Sequence, residues 1–318
     1  MSADRCLYVA DRDSNGLFLF NPNGSLRRFY QSAELGDLKR PRGLCFDGSG
    51  HLLVSDSGNG RILIFDDTLR LTGRIDLSNH RPLLDSLALA DCTLFCSDLR
   101  NHVIHAIDLR DGVLKRALGG PGSAPGRLRS PRAICVVGDR LIVADRDNDR
   151  ICAFDLKTGK VQSFLGFGRG EGSVRKPTDV KFIDNRFYVN DSNKYLIQVY
   201  TPEFEFLFQF GGKGSAIGKF DLASTLSVHH MALYICDRNN DRILRYRPER
   251  AAIEALVTPR FIPGGLRRAS KEIFQAEAEK ALEKHGYTHN FYFTADVSGD
   301  EMILNKGAQS PHSSSTSF

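Results

Sequence analysis

Short apolar runs that end in an aspartate recur along the chain: LYVAD, LLVSD, LFCSD, LIVAD, FYVND and LYICD. Their aspartates, Asp11, Asp56, Asp98, Asp145, Asp191 and Asp237, are separated by 45, 42, 47, 46 and 46 residues. Each run is followed by a polar turn and a second apolar run. The runs are too short for helices, and several are continuous rather than alternating, which suits strands covered on both faces. The fullest copy, residues 131–166, reads as four strands, AICVV, LIVAD, RICAFDL and VQSFLG, joined by polar turns. A period in the forties built from short strands is that of a β-propeller blade. The expected fold is therefore all-β, a six-bladed β-propeller of four-stranded blades.

The same template fits residues 41–75, 82–119, 177–211 and 222–257. The first unit, 7–31, supplies only the second, third and fourth strands of a blade. A ring closes best when strands from both termini share a blade, because an incomplete blade leaves an edge unpaired. NFYFTADVSG, at 290–299, is the candidate for the missing strand. Ahead of it, Ser270 can cap a helix, with Glu272 in its first turn, Lys284 and His285 in its last, and Gly286 beyond the end. Ile273, Phe274, Ala281 and Leu282 give that helix one apolar face. The Ser-rich end has almost no apolar content and is expected to be disordered. The organisation is then 1–257 as propeller repeats with an incomplete first blade, 258–304 as a helix plus strand that packs on or closes the ring, and 305–318 as tail.

The turn after each aspartate carries a further pattern, D-x-x-N-x-R-I. It is complete at Asp56, Asn59 and Arg61, at Asp145, Asn148 and Arg150, and at Asp237, Asn240 and Arg242. In the third copy Val103 replaces the arginine, and in the fifth Lys194 and Leu196 replace asparagine and arginine. With the Pro41-Arg42-Gly43 and Pro131-Arg132-Ala133 blade starts and Gly-rich connectors such as FGGKGSAIGKF, these repeats resemble the NHL family of six-bladed propellers. The resemblance spans residues 7–257, and the repeats are similar to the propeller of tripartite-motif NHL proteins. WD40 and Kelch patterns fit worse, since the chain has no Trp. Asp and Asn bond turn backbone and tolerate left-handed conformations, so the nine residues of the complete copies are assigned a structural role.

Charge changes the picture more than composition does. The 318 residues carry a net charge of +5, with 41% hydrophobic and 25% charged residues, ordinary for a globular protein. The positive charge is concentrated in the connectors and second-to-third-strand turns, which share one face of a propeller. Its candidate rim residues are Arg42, Arg100, Arg127, Arg129, Arg132, Arg146, Arg175, Lys176, Lys213 and Arg238. The opposite face comes out near neutral. Such a rim attracts phosphate backbones or acidic protein segments. The resemblance implies single-stranded or hairpin RNA as the partner, with Phe167, Tyr195, Phe220 and His102 in loops where rings could stack bases. The alternatives are a protein-interaction scaffold, a substrate-recognition propeller of a tripartite-motif-like ubiquitin ligase system, and, more remotely, a metal-dependent propeller hydrolase or lyase.

The last alternative needs donors in the central channel. Asp85 and Asp179 fall on inner strands, but no Glu or Asn accompanies them, so an oxygen cage is incomplete. His51, His80, His102, His105, His229 and His230 do not recur at equivalent blade positions. No catalytic residue, cofactor or metal ligand is therefore expected. Seven cysteines, odd in number and mostly within strands, read as buried thiols rather than a disulfide framework, which points to a reducing compartment. No segment approaches the ~20 apolar residues of a membrane span, and no basic, then apolar, secretory pattern opens the sequence. A cytoplasmic, monomeric ring is the expectation.

Overall fold

A computed structural model describes residues 7–257 apart from 21–25, 167, 169, 230, 241 and 249–251. The expected helix at 270–286, the strand at 290–299 and the tail lie outside the described residues. Six antiparallel sheets form the six blades of a propeller. Blade one holds β1 (Leu7–Asp11), β2 (Gly16–Phe20) and β3 (Leu26–Tyr30). Blade two holds β4 (Pro41–Phe46), β5 (Leu52–Asp56), β6 (Arg61–Phe65) and β7 (Leu71–Asp76). Blade three holds β8 (Leu84–Ala90), β9 (Thr93–Asp98), β10 (Val103–Asp108) and β11 (Val113–Gly119). Blade four runs from β12 (Pro131–Val137) through β13 (Arg140–Asp145) and β14 (Arg150–Asp155) to β15 (Val161–Phe164). Blade five holds β16 (Pro177–Ile183), β17 (Arg186–Asp191), β18 (Leu196–Tyr200) and β19 (Phe206–Gly211). Blade six holds β20 (Ala223–His229), β21 (Ala232–Asp237), β22 (Arg242–Arg247) and β23 (Ala252–Val257). Among the described residues blade one has three strands. Its innermost, β1, pairs with β2 and lines the channel through Tyr8, Val9 and Ala10.

The continuous apolar runs follow from stacking sheet on sheet. Successive side chains of a strand point to opposite faces. In β5, Leu52 and Val54 therefore pack with Leu17 and Leu19 of blade one, while Leu53 packs with Leu94 and Cys96 of blade three. The same division repeats around the ring, with one core cluster between each pair of consecutive blades from one to six. A fully buried Leu, Val or Phe contributes about 1.5–3 kcal/mol, so the stacked faces dominate stability. Cys45, Cys96 and Cys152 serve there as small apolar residues, and no disulfide joins the described cysteines. No described helix is long and apolar enough to cross a membrane.

Polar stitches fix the blade order at the channel end. In blades two, three and five the residue before the strand-end aspartate reaches the next blade. Ser55 Oγ donates to the Asp85 carbonyl at 2.9 Å, Ser97 Oγ to the Arg132 carbonyl at 2.6 Å, and Asn190 Nδ2 to the Ala223 carbonyl at 2.6 Å. Each therefore satisfies an inner-strand carbonyl that its own sheet leaves open.

The strand-end aspartates organise the turns. Asp145 is fully buried; it accepts hydrogen bonds from Arg129 N at 2.6 Å, Asn148 Nδ2 at 2.7 Å and Arg150 Nε at 2.8 Å. Arg150 extends onward to the carbonyls of Ser123 and Arg127, which closes the preceding connector around the turn. Asp56 with Asn59 and Arg61, and Asp237 with Asn240 and Arg242, are built alike. Where the arginine is missing, the residue two positions on takes its place, because neighbours two apart on a strand share a face. In blade three His105 Nε2 bonds Asp98 at 3.0 Å; in blade five Gln198 Nε2 donates to Asp191 at 3.0 Å.

The neutral substitute has a titration consequence. Burial tends to raise the Asp98 carboxyl, but His105 and the N–H groups of Leu83 and Asn101 outweigh it, and the net direction is down. At Asp191 burial dominates over Arg175 N–H, Lys194 and Gln198, and the carboxyl is pushed up to about 6. An unfolded Asp titrates near ~3.9, so the folded state holds the proton more tightly. Stability from this group is present at low pH and lost as pH rises towards 6. Relative to Asp191→Asn, the wild type should lose about 2 kcal/mol between pH ~4 and ~7. Urea midpoints of both proteins across that range check it; a constant difference would remove the linkage.

Candidate functional site

The connector face is held from two directions. The residue two before the inner strand, Lys39, Arg129 or Arg175, donates its backbone N–H to the aspartate of its own blade, at 2.7, 2.6 and 2.8 Å. The next residue, Arg40, Ser130 or Lys176, has φ of 49°, 49° and 56°. That left-handed bend turns its N–H to the preceding blade, where Asn15, His102 and Asp149 accept it at 2.8, 3.0 and 2.8 Å. Lys39, Arg129 and Arg175 are thus backbone-pinned at equivalent places in three blades, and all three are solvent-exposed. Arg100, Arg127, Lys213 and Arg238 are exposed on the same face.

Four rim residues proposed from sequence pair with carboxylates. Arg146 and Lys176 share Asp147, at 3.0 and 2.9 Å. Arg42 and Arg132 turn inward to the channel mouth and flank Asp85, at 3.2 and 2.9 Å. Loop counting placed these four on the basic face but could not show their carboxylate partners. The ring candidates divide similarly. Phe220 is fully buried under blade six, so it is a core plug and cannot stack a base. His102 Nδ1 accepts the Ser130 N–H, a stitch between blades three and four. Tyr195 lies on the rim with Lys213 Nζ 5.4 Å from its ring centre, and Phe167 lies outside the described residues.

The channel itself is a cavity of about 400 Å³ between the inner strands. Arg42, Asp85, Arg132, Thr178 and Ser224 are each the second residue of β4, β8, β12, β16 and β20, and all five line it. Their separation by whole blades explains why they look unrelated in sequence. Asp179, one residue deeper, is 3% exposed and lies 3.8 Å from Lys181 Nζ. Among the described residues no three His, Cys, Asp or Glu side chains come together as a metal site.

This geometry can be set beside known proteins. Residues 38–65 match the NHL repeat. The match covers β4 to β6 with the end of the preceding connector, the part of blade two that holds the Asp56–Asn59–Arg61 turn. The six-bladed ring is similar in structure to virginiamycin B lyase from Staphylococcus aureus, with TM-score 0.59 and 14% identity over 80% of this chain and 81% of that one. It is also similar to a chain of a nidogen/laminin complex, with TM-score 0.62 and 13% identity over 79% and 92%. A streptogramin B lyase gives TM-score 0.55 and 12% identity over 80% and 72%. At these identities the likeness is one of fold. A search of curated proteins found no match.

Proposed function

We propose that this NHL-type propeller is a non-catalytic binding module whose connector face holds single-stranded RNA by its phosphates. The observation that carries the reading is the trio Lys39, Arg129 and Arg175. Their backbones are fixed by buried aspartates and their charges reach solvent at equivalent points of three blades. Cations held on a rigid frame lose less conformational freedom on binding than cations on mobile loops. Arg100, Arg127, Lys213 and Arg238 extend the positive surface around them, and Tyr195 offers a ring for stacking. A binding role also accords with the engagement of Asp85 by two guanidiniums, which leaves it poorly placed to act as a base. The likeness in fold to a chain of a nidogen/laminin complex supports one second reading, a protein partner, and the positive charge of the connector face would suit an acidic segment of it.

The test is fluorescence anisotropy with random single-stranded RNA across a salt series from about 50 to about 200 mM. The triple variant Lys39→Gln, Arg129→Gln, Arg175→Gln should weaken binding at least about tenfold and flatten the log–log salt slope by about 2, near 0.7 per phosphate contact. Unchanged affinity would remove the trio from the site. Tight, salt-sensitive binding of a polyglutamate peptide with none of RNA would transfer the face to the second reading.

A further inference from the structure

The outer strands of the blades differ in how they meet solvent. Each ends its sheet, with no described strand beside its far edge, and such edges are usually protected by charge or by shortness. β3, β7, β11 and β23 carry charges such as Arg28, Arg74, Arg116 and Glu254, and β15 has only four residues. β19 has six residues, FLFQFG, and no charge. Phe206 packs against the core between blades four and five, and Phe210 against that between blades five and six. Between these anchors Leu207 and Phe208 stay 44% and 37% exposed, and Gln209 is exposed with them. Gly212 N donates to the Tyr195 carbonyl at 2.7 Å. By the alternation of an antiparallel pair, the main-chain groups of Phe210 and Phe208 then also face β18, and those of Gln209 face outward. The Gly211 carbonyl, which has the same parity as Gln209, accepts from Lys219 Nζ at 2.8 Å.

We propose that β19 is the contact between two copies of this chain, paired antiparallel across a two-fold axis at Gln209. At that register the two Gln209 residues exchange a pair of backbone hydrogen bonds, and Phe208 of each copy lies opposite Phe210 of the other. The flanks favour the same arrangement. Glu203 and Glu205 are exposed at the start of the strand, and Lys213 is exposed just past its end. Antiparallel pairing brings each acidic end beside the basic end of the other copy, with Glu205 level with Lys213; parallel pairing would set like charges together. A two-fold contact requires a surface complementary to itself. An apolar centre with opposite charges at its two ends meets that requirement, whereas an unrelated extended peptide needs no such symmetry. One strand is a small interface, so association in the micromolar range is expected. The ring expected from sequence to be a monomer would then pair at high concentration. Lys39, Arg129 and Arg175 belong to other connectors, so this contact and the RNA face are tested separately.

Sedimentation velocity of the full chain from about 1 to about 200 µM should show a shift from monomer to dimer. Phe208→Lys places a charge at the exposed centre of the edge, and Gln209→Pro removes its outward N–H. Both positions face solvent, so the variants should fold, and each should raise the dissociation constant at least about tenfold. Glu205→Lys and Lys213→Glu should each weaken the dimer at least about threefold. The two reversals together in one chain should restore it, because both contacts re-form with their signs exchanged. A dimer formed elsewhere on the ring does not produce that rescue, and its failure would remove the two-fold register and with it the proposal. A wild type that is monomeric at about 200 µM, or folded Phe208→Lys and Gln209→Pro proteins that dimerise as the wild type does, would overturn it as well. Slow hydrogen exchange at Gln209 in such a monomer would assign the edge to residues 258–318 of the same chain.

Discussion

Replacing Asp145 by alanine should destabilise the protein by about 3–5 kcal/mol, the usual cost of removing one member of a buried ion pair. The carboxylate is fully buried and is the common acceptor for a backbone N–H, an asparagine amide and a guanidinium. Without it Arg150 remains half-buried with a charge that only connector carbonyls face. Two consequences separate. Urea unfolding should show a lower midpoint, and RNA affinity should fall even where the protein is fully folded, because Arg129 loses the bond that fixes its backbone. Asp147→Ala is the control. Its carboxylate pairs with Arg146 and Lys176 at a partly exposed site, and its loss should cost less than about 1 kcal/mol. A cost below about 1 kcal/mol for Asp145→Ala as well would mean that the turn is not an energetic centre of the blade.

The ring was legible because its signal is repeated. Six aspartates at near-equal spacing, each closing an apolar run, require one strand-and-turn unit used six times, and the six sheets follow. What the repeat conceals is compensation. Val103 and Leu196 look like decay of the turn, yet His105 and Gln198 restore a donor to Asp98 and Asp191 from two residues further on. The period-2 geometry of a strand contains that information. A motif read as a fixed string does not, since it looks only at the position where the arginine should stand.

The site was less legible for a different reason. Net charge by loop is a property of sequence, whereas pairing is a property of space. Lys176 and Asp147 are 29 residues apart and belong to adjacent blades, as do Arg132 and Asp85 at 47. Counting loops put Lys176 and Arg132 among the rim cations, and only the folded ring shows the carboxylates beside them. The inference that Asp85 and Asp179 face the channel needed only their place on inner strands. Seeing Arg42, Asp85 and Arg132 as neighbours required aligning the second residue of each inner strand across blades. That alignment is available from the sequence once the blade starts are fixed, and it sets the three apart from the exposed rim.

Gly43→Ala should cost about 1–3 kcal/mol, through overpacking rather than through a lost contact. A Cβ at this position would lie 2.2 Å from the Asp85 carbonyl oxygen, with Leu87 N and Ser86 Cα each at 3.1 Å. All three are backbone atoms of β8, so no side-chain rotation relieves the clash and the inner strands of blades two and three must separate. The Ser55 hydroxyl spans this gap, accepting from Gly43 N at 2.6 Å and donating to the Asp85 carbonyl at 2.9 Å. Separation would therefore strain the stitch and move Asp85 away from Arg42. The equivalent places in blades three to six hold Ser86, Ala133, Asp179 and Thr225, so the close approach belongs to this one boundary. Gly73→Ala is the matched control, since its Cβ would meet only Ile64 side-chain atoms at 3.5 Å or more. Its urea midpoint should stay near wild type or rise slightly, as alanine restricts the unfolded chain, while that of Gly43→Ala falls. Equal midpoints for the two variants would show that β4 and β8 yield without cost, and that the channel mouth is softer than its packing implies.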